Sequence, residues 1–170
     1  MKITMLLVMV SLVCPALASA DNTNLKTFFS ATVGEFRGEG STKVTQNFGK
    51  LSENHYSVDY TTVDSENDTW NVTLETVGAE DNMHTVSHVT YAVSGDNLYV
   101  QPEYGVSIPV QVIESTPAGV VYKATQINPS SGVPVDTVVH LTIENRHLTS
   151  SAISTINGVT VYDAEFTADY

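Results

Sequence analysis

Gly34-Glu35-Phe36-Arg37-Gly38-Glu39-Gly40 is where the chain changes period: before it apolar residues recur at helical spacing, and after it they alternate. Glycines at near-alternate positions let a strand bend sharply or approach another backbone closely, as the corners of a barrel require. We read this stretch as the hinge where a short helix hands over to the first strand of a meandering β-sheet.

Downstream of the hinge, Thr, Val and Tyr dominate, and segments of about eight to twelve residues are separated by turn signals, the mark of an all-β sandwich or barrel. Strands are predicted near Phe36–Phe48, His55–Val63, Thr69–Val77, His84–Val93 and Asn97–Gln101. Five more follow near Val106–Glu114, Val120–Ile127, Val135–Glu144, His147–Ile156 and Val159–Ala168. Ser94-Gly95-Asp96-Asn97 and Asn157-Gly158 are tight-hairpin signals, because Asn and Gly tolerate the positive φ of a type I′ turn. Short connections throughout imply antiparallel pairing of nearest neighbours. An up-and-down meander of about eight to ten strands removes its edges by closing into a barrel.

The alternation shows which face goes in. Tyr56, Val58 and Tyr60 alternate with His55, Ser57 and Asp59; Trp70, Val72 and Leu74 with Asn71, Thr73 and Glu75; Tyr162, Ala164, Phe166 and Ala168 with Asp163, Glu165, Thr167 and Asp169. One face is apolar and the other polar. A small outer-membrane barrel also alternates, and often ends on an aromatic such as Tyr170. Against that alternative, Trp and Phe are too few for two aromatic girdles, and the connections lack that class's alternation of short and long.

Upstream, Leu25, Phe28, Phe29 and Val33 fall at helical spacing, with Asn22 or Thr23 to cap the start and Gly34 to stop the end. Such a helix could cover one end of a β-structure. Residues 1–20 have a basic start at Lys2, an apolar run from Ile3 to Val13 and an Ala18-Ser19-Ala20 close. That is the pattern of a cleaved secretory signal, and the run is too short to span a bilayer. The expectation is a single domain over residues 21–170, periplasmic or secreted, with no membrane span once the leader is removed. Its one cysteine, Cys14, falls in the leader, so the mature chain has no disulfide and no thiol chemistry.

The formal charge is −12, and loss of Lys2 makes it more negative. Such a surface repels phosphate backbones, which argues against a nucleic-acid partner. Catalytic patterns are lacking: no Gly-x-Ser-x-Gly elbow and no phosphate-cradling glycine loop. His84 and His88 lie four apart on a strand, about 13 Å, too far to share a metal by themselves. Asp64-Ser65-Glu66-Asn67-Asp68 has the acid spacing of a calcium loop without its glycine, and reads as a solvated turn. Arg37 and Lys123 are scarce cations within strands; either could fix an anionic head group if it pointed inward, while a surface salt bridge is the commoner fate.

The helix, the Gly34-Glu35-Phe36 opening and the meander resemble the calycin group of lipocalin-like barrels, whose first strand opens with Gly-x-Trp after a short helix. Phe36-Arg37-Gly38-Glu39-Gly40 is also similar to the Trp-x-Gly-x-Gly opening of nitrobindin-like haem barrels. Phe36 stands where those families have Trp, and the last strand carries no basic residue to pack across it. The resemblance implies a cavity for a small hydrophobic or amphipathic ligand, lined by Phe36, Tyr60, Trp70, Tyr91, Tyr122 and Phe166, with Arg37 as the polar contact. Haem would need a proximal His, to which neither His140 nor His147 can be matched by motif. If the aromatics instead fill the interior, the chain is a structural or interaction module with a partner at an exposed edge.

Overall fold

The computed structural model describes residues 21–45, 51–103, 105–128 and 131–170. The leader, Cys14 and the predicted strand end at 46–48 lie outside the described residues. The fold is one helix, α1 (Asn22–Ala31), followed by ten strands: β1 (Gly34–Thr45), β2 (Leu51–Ser65), β3 (Thr69–Gly78), β4 (His84–Ser94), β5 (Asn97–Pro102), β6 (Ile108–Thr116), β7 (Gly119–Ile127), β8 (Pro134–Glu144), β9 (His147–Ile156) and β10 (Val159–Asp169). Each strand pairs antiparallel with its chain neighbours, and β1 pairs with both β2 and β10, so the sheet is a closed barrel.

Closure rests on Gly38 and Gly40. In register, Gly38 faces Ala168 of β10 and Val58 of β2, and Gly40 faces Phe166 and Tyr56. A β-carbon on Gly38 would lie 1.8 Å from the Thr167 carbonyl oxygen, and one on Gly40 would lie 2.6 Å from the Glu165 carbonyl oxygen and from the Tyr56 ring. The first and last strands therefore meet at a distance that only a residue without a side chain allows. The Tyr56 hydroxyl crosses the seam and donates to the Glu165 carbonyl at 3.2 Å.

Helix α1 forms because Leu25, Phe28 and Phe29 share one face and are wholly buried. Its cap is Asp21, whose carboxylate accepts the Thr23 N–H at 2.9 Å; Asn22 and Thr23 are not the cap. The side chains of the expected capping region work elsewhere: Asn22 Nδ2 donates to the Gly95 carbonyl at 2.7 Å and Asn24 Nδ2 to the Ser115 carbonyl at 3.1 Å. Lys26 pairs with Asp68 at 2.8 Å. The helix is thus tied to the turns after β2 and β4 and to the end of β6, and it stoppers that end of the barrel. It stops at Thr32, a buried residue whose hydroxyl donates to the Phe29 carbonyl at 2.8 Å. Val33 lies beyond the helix and is exposed.

The two ends differ in their connections. At the helix end the strands are joined by residues 66–68, 95–96, 117–118 and 145–146; at the other end they are joined by 46–50, 79–83, 103–107, 128–133 and 157–158. Short and long connections therefore do alternate, except at 157–158, contrary to the reading of the connectors given above. Val106, expected to begin a strand, belongs to one of the longer loops and is exposed. The tight turns use left-handed backbone at Asn67 and Asp68, at Asn145 and Arg146, and at Asn157 and Gly158. Arg146, a costly residue at φ 65, has its guanidinium 3.6 Å from the centre of the Tyr170 ring, and its carbonyl accepts the Tyr170 N–H at 3.1 Å.

The outward rows carry Glu35, Arg37, Glu39 and Lys43 on β1, His55 and Asp59 on β2, and Asp163, Glu165 and Asp169 on β10, while the apolar rows turn inward. Other strands also expose apolar residues, among them Val86 on β4, Ile113 on β6 and Ile153 on β9.

Closure at Gly38 can be checked directly. Gly38→Ala should cost about 3 kcal/mol or more, because the obstruction is a backbone carbonyl that no rotamer change relieves. Gly95→Ala, where nothing lies within 4 Å of the new carbon, should cost only about 1 kcal/mol for its left-handed backbone. Urea unfolding of the two variants measures the difference.

Candidate functional site

Along the inward rows, the buried residues gather toward the helix end and accessibility rises toward the other. On β4 the order is Val93 and Tyr91 buried, Val89 and Ser87 partly accessible, Thr85 exposed; on β7 it is Val120 and Tyr122 buried, Ala124 partly accessible, Gln126 exposed. Rows β8 to β10 repeat it, from Leu141, Leu148 and Phe166 to Val139, Ala152 and Ala164. One half of the interior is packed solid, and the other half is a lumen that opens on the side away from the helix.

The packed half holds the six aromatics singled out from the sequence. Phe36, Tyr60, Trp70, Tyr91, Tyr122 and Phe166 are each no more than 8 % exposed. Phe29 of α1 stacks on Trp70 at 5.3 Å and on Tyr91 at 4.7 Å between ring centres. The Tyr91 and Tyr122 hydroxyls share a buried hydrogen bond of 3.1 Å. Tyr60 bridges the rest of the layer, 6.2 Å from Phe36 and 5.7 Å from Phe166. Offset and edge-on pairs of this kind add about 0.5–1.5 kcal/mol each beyond the area they bury. The structure brings these six together as one layer sealed from the outside by Phe28 and Phe29.

Arg37 is not part of that layer. It points outward and pairs with Asp59 at 3.4 Å, with both side chains largely in solvent, so it cannot reach a molecule held inside. Lys123 also points outward, to Asp136 at 2.9 Å. That contact, with the Thr125 hydroxyl bond first in weight, lowers the Asp136 pKa. The parity of a strand decides this: Arg37 is one residue from inward Phe36 and must face out. Asp64 to Asp68 spans the end of β2 and its turn into β3, where Asp68 serves the helix. His84 and His88 face outward to Glu75 and Thr73. All five histidines are exposed, and one of them, His55, borders the cavity described below.

The open half has a cavity of about 400 Å³. Its walls are Thr42 from β1, Asn54, His55 and Tyr56 from β2, Leu74, Thr76 and Gly78 from β3, Thr85 and Ser87 from β4, and Tyr162 from β10; Glu80, Asp81 and Met83 of the β3–β4 loop form part of its rim. Only Tyr56 and Tyr162 are aromatic. Burial, and then the neighbouring Tyr162 and Glu165, push the Tyr56 phenol up to about 12, and burial also raises Tyr162. Both remain protonated at physiological pH; the Tyr56 proton goes to the Glu165 carbonyl, which leaves Tyr162 as the phenol able to donate into the cavity. Sequence reasoning passed over these two residues in favour of aromatics that lie nearer the helix end. The available signal was the polar drift of the inward rows, Thr76 after Leu74 and Ser87 before Val89.

A comparison with known protein families and with characterised proteins finds no match for this chain.

The phenols of the packed layer set an alkaline limit. Burial raises Tyr60 and Tyr91 far above the ordinary value of 10.0 and Tyr122 to about 12. The unfolded chain gives up these protons near pH 10 while the folded chain keeps them. Their contribution is therefore complete below pH 10 and is lost as pH rises toward and past 12. Absorbance at 295 nm and circular dichroism followed together should show these tyrosines ionising only as the fold is lost.

Proposed function

We propose that this chain is an exported, water-surrounded barrel that holds a small amphipathic molecule in the open half of its interior, on a floor formed by the aromatic layer. The burial gradient carries this reading. The far ends of the inward rows are at least partly accessible, and the cavity they leave is walled by β1, β2, β3, β4 and β10. A volume of about 400 Å³ falls in the range of small-ligand sites, which are concave, largely preformed and lined by apolar groups with a few placed polar ones.

Leu74, Met83 and the Tyr162 ring supply apolar surface, while Asn54 and the threonine hydroxyls supply directional contacts near the mouth. The charged outer face favours water over lipid around the barrel, and the leader pattern favours export. The lipocalin-like resemblance agrees with such a role, although the lumen lies one layer above the aromatics expected to line it. The one described histidine that borders the cavity, His55, is exposed at its edge and lies on the outward parity of β2, so haem is a poor fit. A filled interaction module would not leave the far ends of ten inward rows accessible.

Native mass spectrometry of the protein isolated from its own source should retain a bound molecule of a few hundred daltons, the mass that such a volume holds. Calorimetry with 1-octanol should show saturable binding that Leu74→Trp weakens by about tenfold or more, roughly 1.4 kcal/mol. Ser87→Phe, at the residue paired with Leu74 on the adjacent strand, should do the same from the neighbouring position. Equal binding by all three proteins, or no binding and a clean apo mass, would remove the reading.

A further inference from the structure

We infer that the open half selects an uncharged or cationic amphiphile and rejects a carboxylate or phosphate head group; this rests on the lumen reading above. The argument is where the charges sit. Every described lysine and arginine is committed outside the lumen, and the one histidine that borders the cavity, His55, is exposed at its edge. Lys26 is bound to Asp68 at 2.8 Å, Arg37 to Asp59 at 3.4 Å, Lys43 to Glu53 at 3.7 Å and Lys123 to Asp136 at 2.9 Å. Arg146 lies against the Tyr170 ring at the opposite, stoppered end.

Between the aromatic layer and the mouth, the inward positions of the described strands are all uncharged. Thr42, Asn54, Thr76, Thr85 and Ser87 offer hydroxyl and amide groups, and the charges nearest them, Glu80 and Asp81 on the rim of the same cavity, are negative. An anion entering this space gives up its hydration and finds no cation to replace it, a penalty of several kcal/mol. A hydroxyl or amide head finds donors and acceptors in Asn54 and the threonines. An ammonium head finds hydroxyl oxygens, the carbonyl of Asn54 and the carboxylates of the rim. The overall charge of −12 gives the approach the same sign of preference.

Three probes with one tail test this: 1-octanol, octylamine and octanoate, each titrated calorimetrically into the isolated protein near pH 7 at low ionic strength. The common tail keeps the apolar contribution constant, so the order of affinity reports the head group. Octanoate should bind about tenfold or more weaker than the other two, a gap of roughly 1.4 kcal/mol. The double variant Glu80→Gln, Asp81→Asn should weaken octylamine toward 1-octanol and leave 1-octanol unchanged. Thr85→Lys, which sets a cation in the mouth with a route to solvent, should bring octanoate above octylamine. Lys50 falls in the β1–β2 connection, outside the described residues, so Lys50→Gln is titrated in parallel. Octanoate binding as tight as 1-octanol, in the native chain or only while Lys50 is present, overturns the charge assignment and leaves the lumen reading standing. Failure of all three probes to bind overturns the lumen reading, and this inference with it.

Discussion

The approach of β1 to β10 at Gly38 is the contact on which the molecule depends. Ten antiparallel strands can form a curled open sheet with two free edges or a barrel with none, and the difference is whether the first strand can hydrogen-bond to the last. With the Thr167 carbonyl lying where a β-carbon would stand on Gly38, any side chain there would hold the strands apart. Glycine at 38 and 40 removes that obstacle and leaves room for Tyr56 to cross the seam and bond the backbone of β10. Closure then gives the alternating rows an inside, and an inside gives the apolar residues somewhere to go.

Once closed, the barrel is made unequal by one short helix. Leu25, Phe28 and Phe29 bring their apolar surface to the end with the shorter turns, and the polar side chains of Asn22, Asn24 and Lys26 bind it to that rim. Phe29 stacking on Trp70 and Tyr91 packs the adjacent half of the interior. The helix reaches no deeper, and the opposite rows bear small or polar groups that cannot meet across the barrel. Packed floor and open lumen are therefore two results of the same stopper. Tight packing below gives rigidity, and the hydroxyl-rich space above is left for something else to occupy.

Charge is sorted by the same geometry. A strand sends neighbouring residues to opposite faces, so the alternation that carries Tyr60 and Trp70 inward carries Asp59 and Asn71 outward. The consequence reaches beyond solubility. Among the described residues, four of the scarce cations are spent on surface carboxylates and Arg146 on the Tyr170 ring, so the inward rows carry polar groups without lysine or arginine.

Much of the fold was legible in the chain because strand, turn and short amphipathic helix are local properties. Period-two alternation placed all ten strands, Asn-Gly placed the hairpin at 157–158, and the spacing of Leu25, Phe28 and Phe29 placed the helix. Parity was legible too, and followed strictly it would have put Arg37 outside. What the chain could not disclose was depth along the barrel axis. Tyr91 and Ser87 sit on the same face of one strand and differ only in their distance from Phe29, a residue far away in sequence. Whether an inward aromatic fills space or lines it depends on what arrives from the other strands and from the helix, and a sum over partners remote in the chain is settled only by tertiary packing.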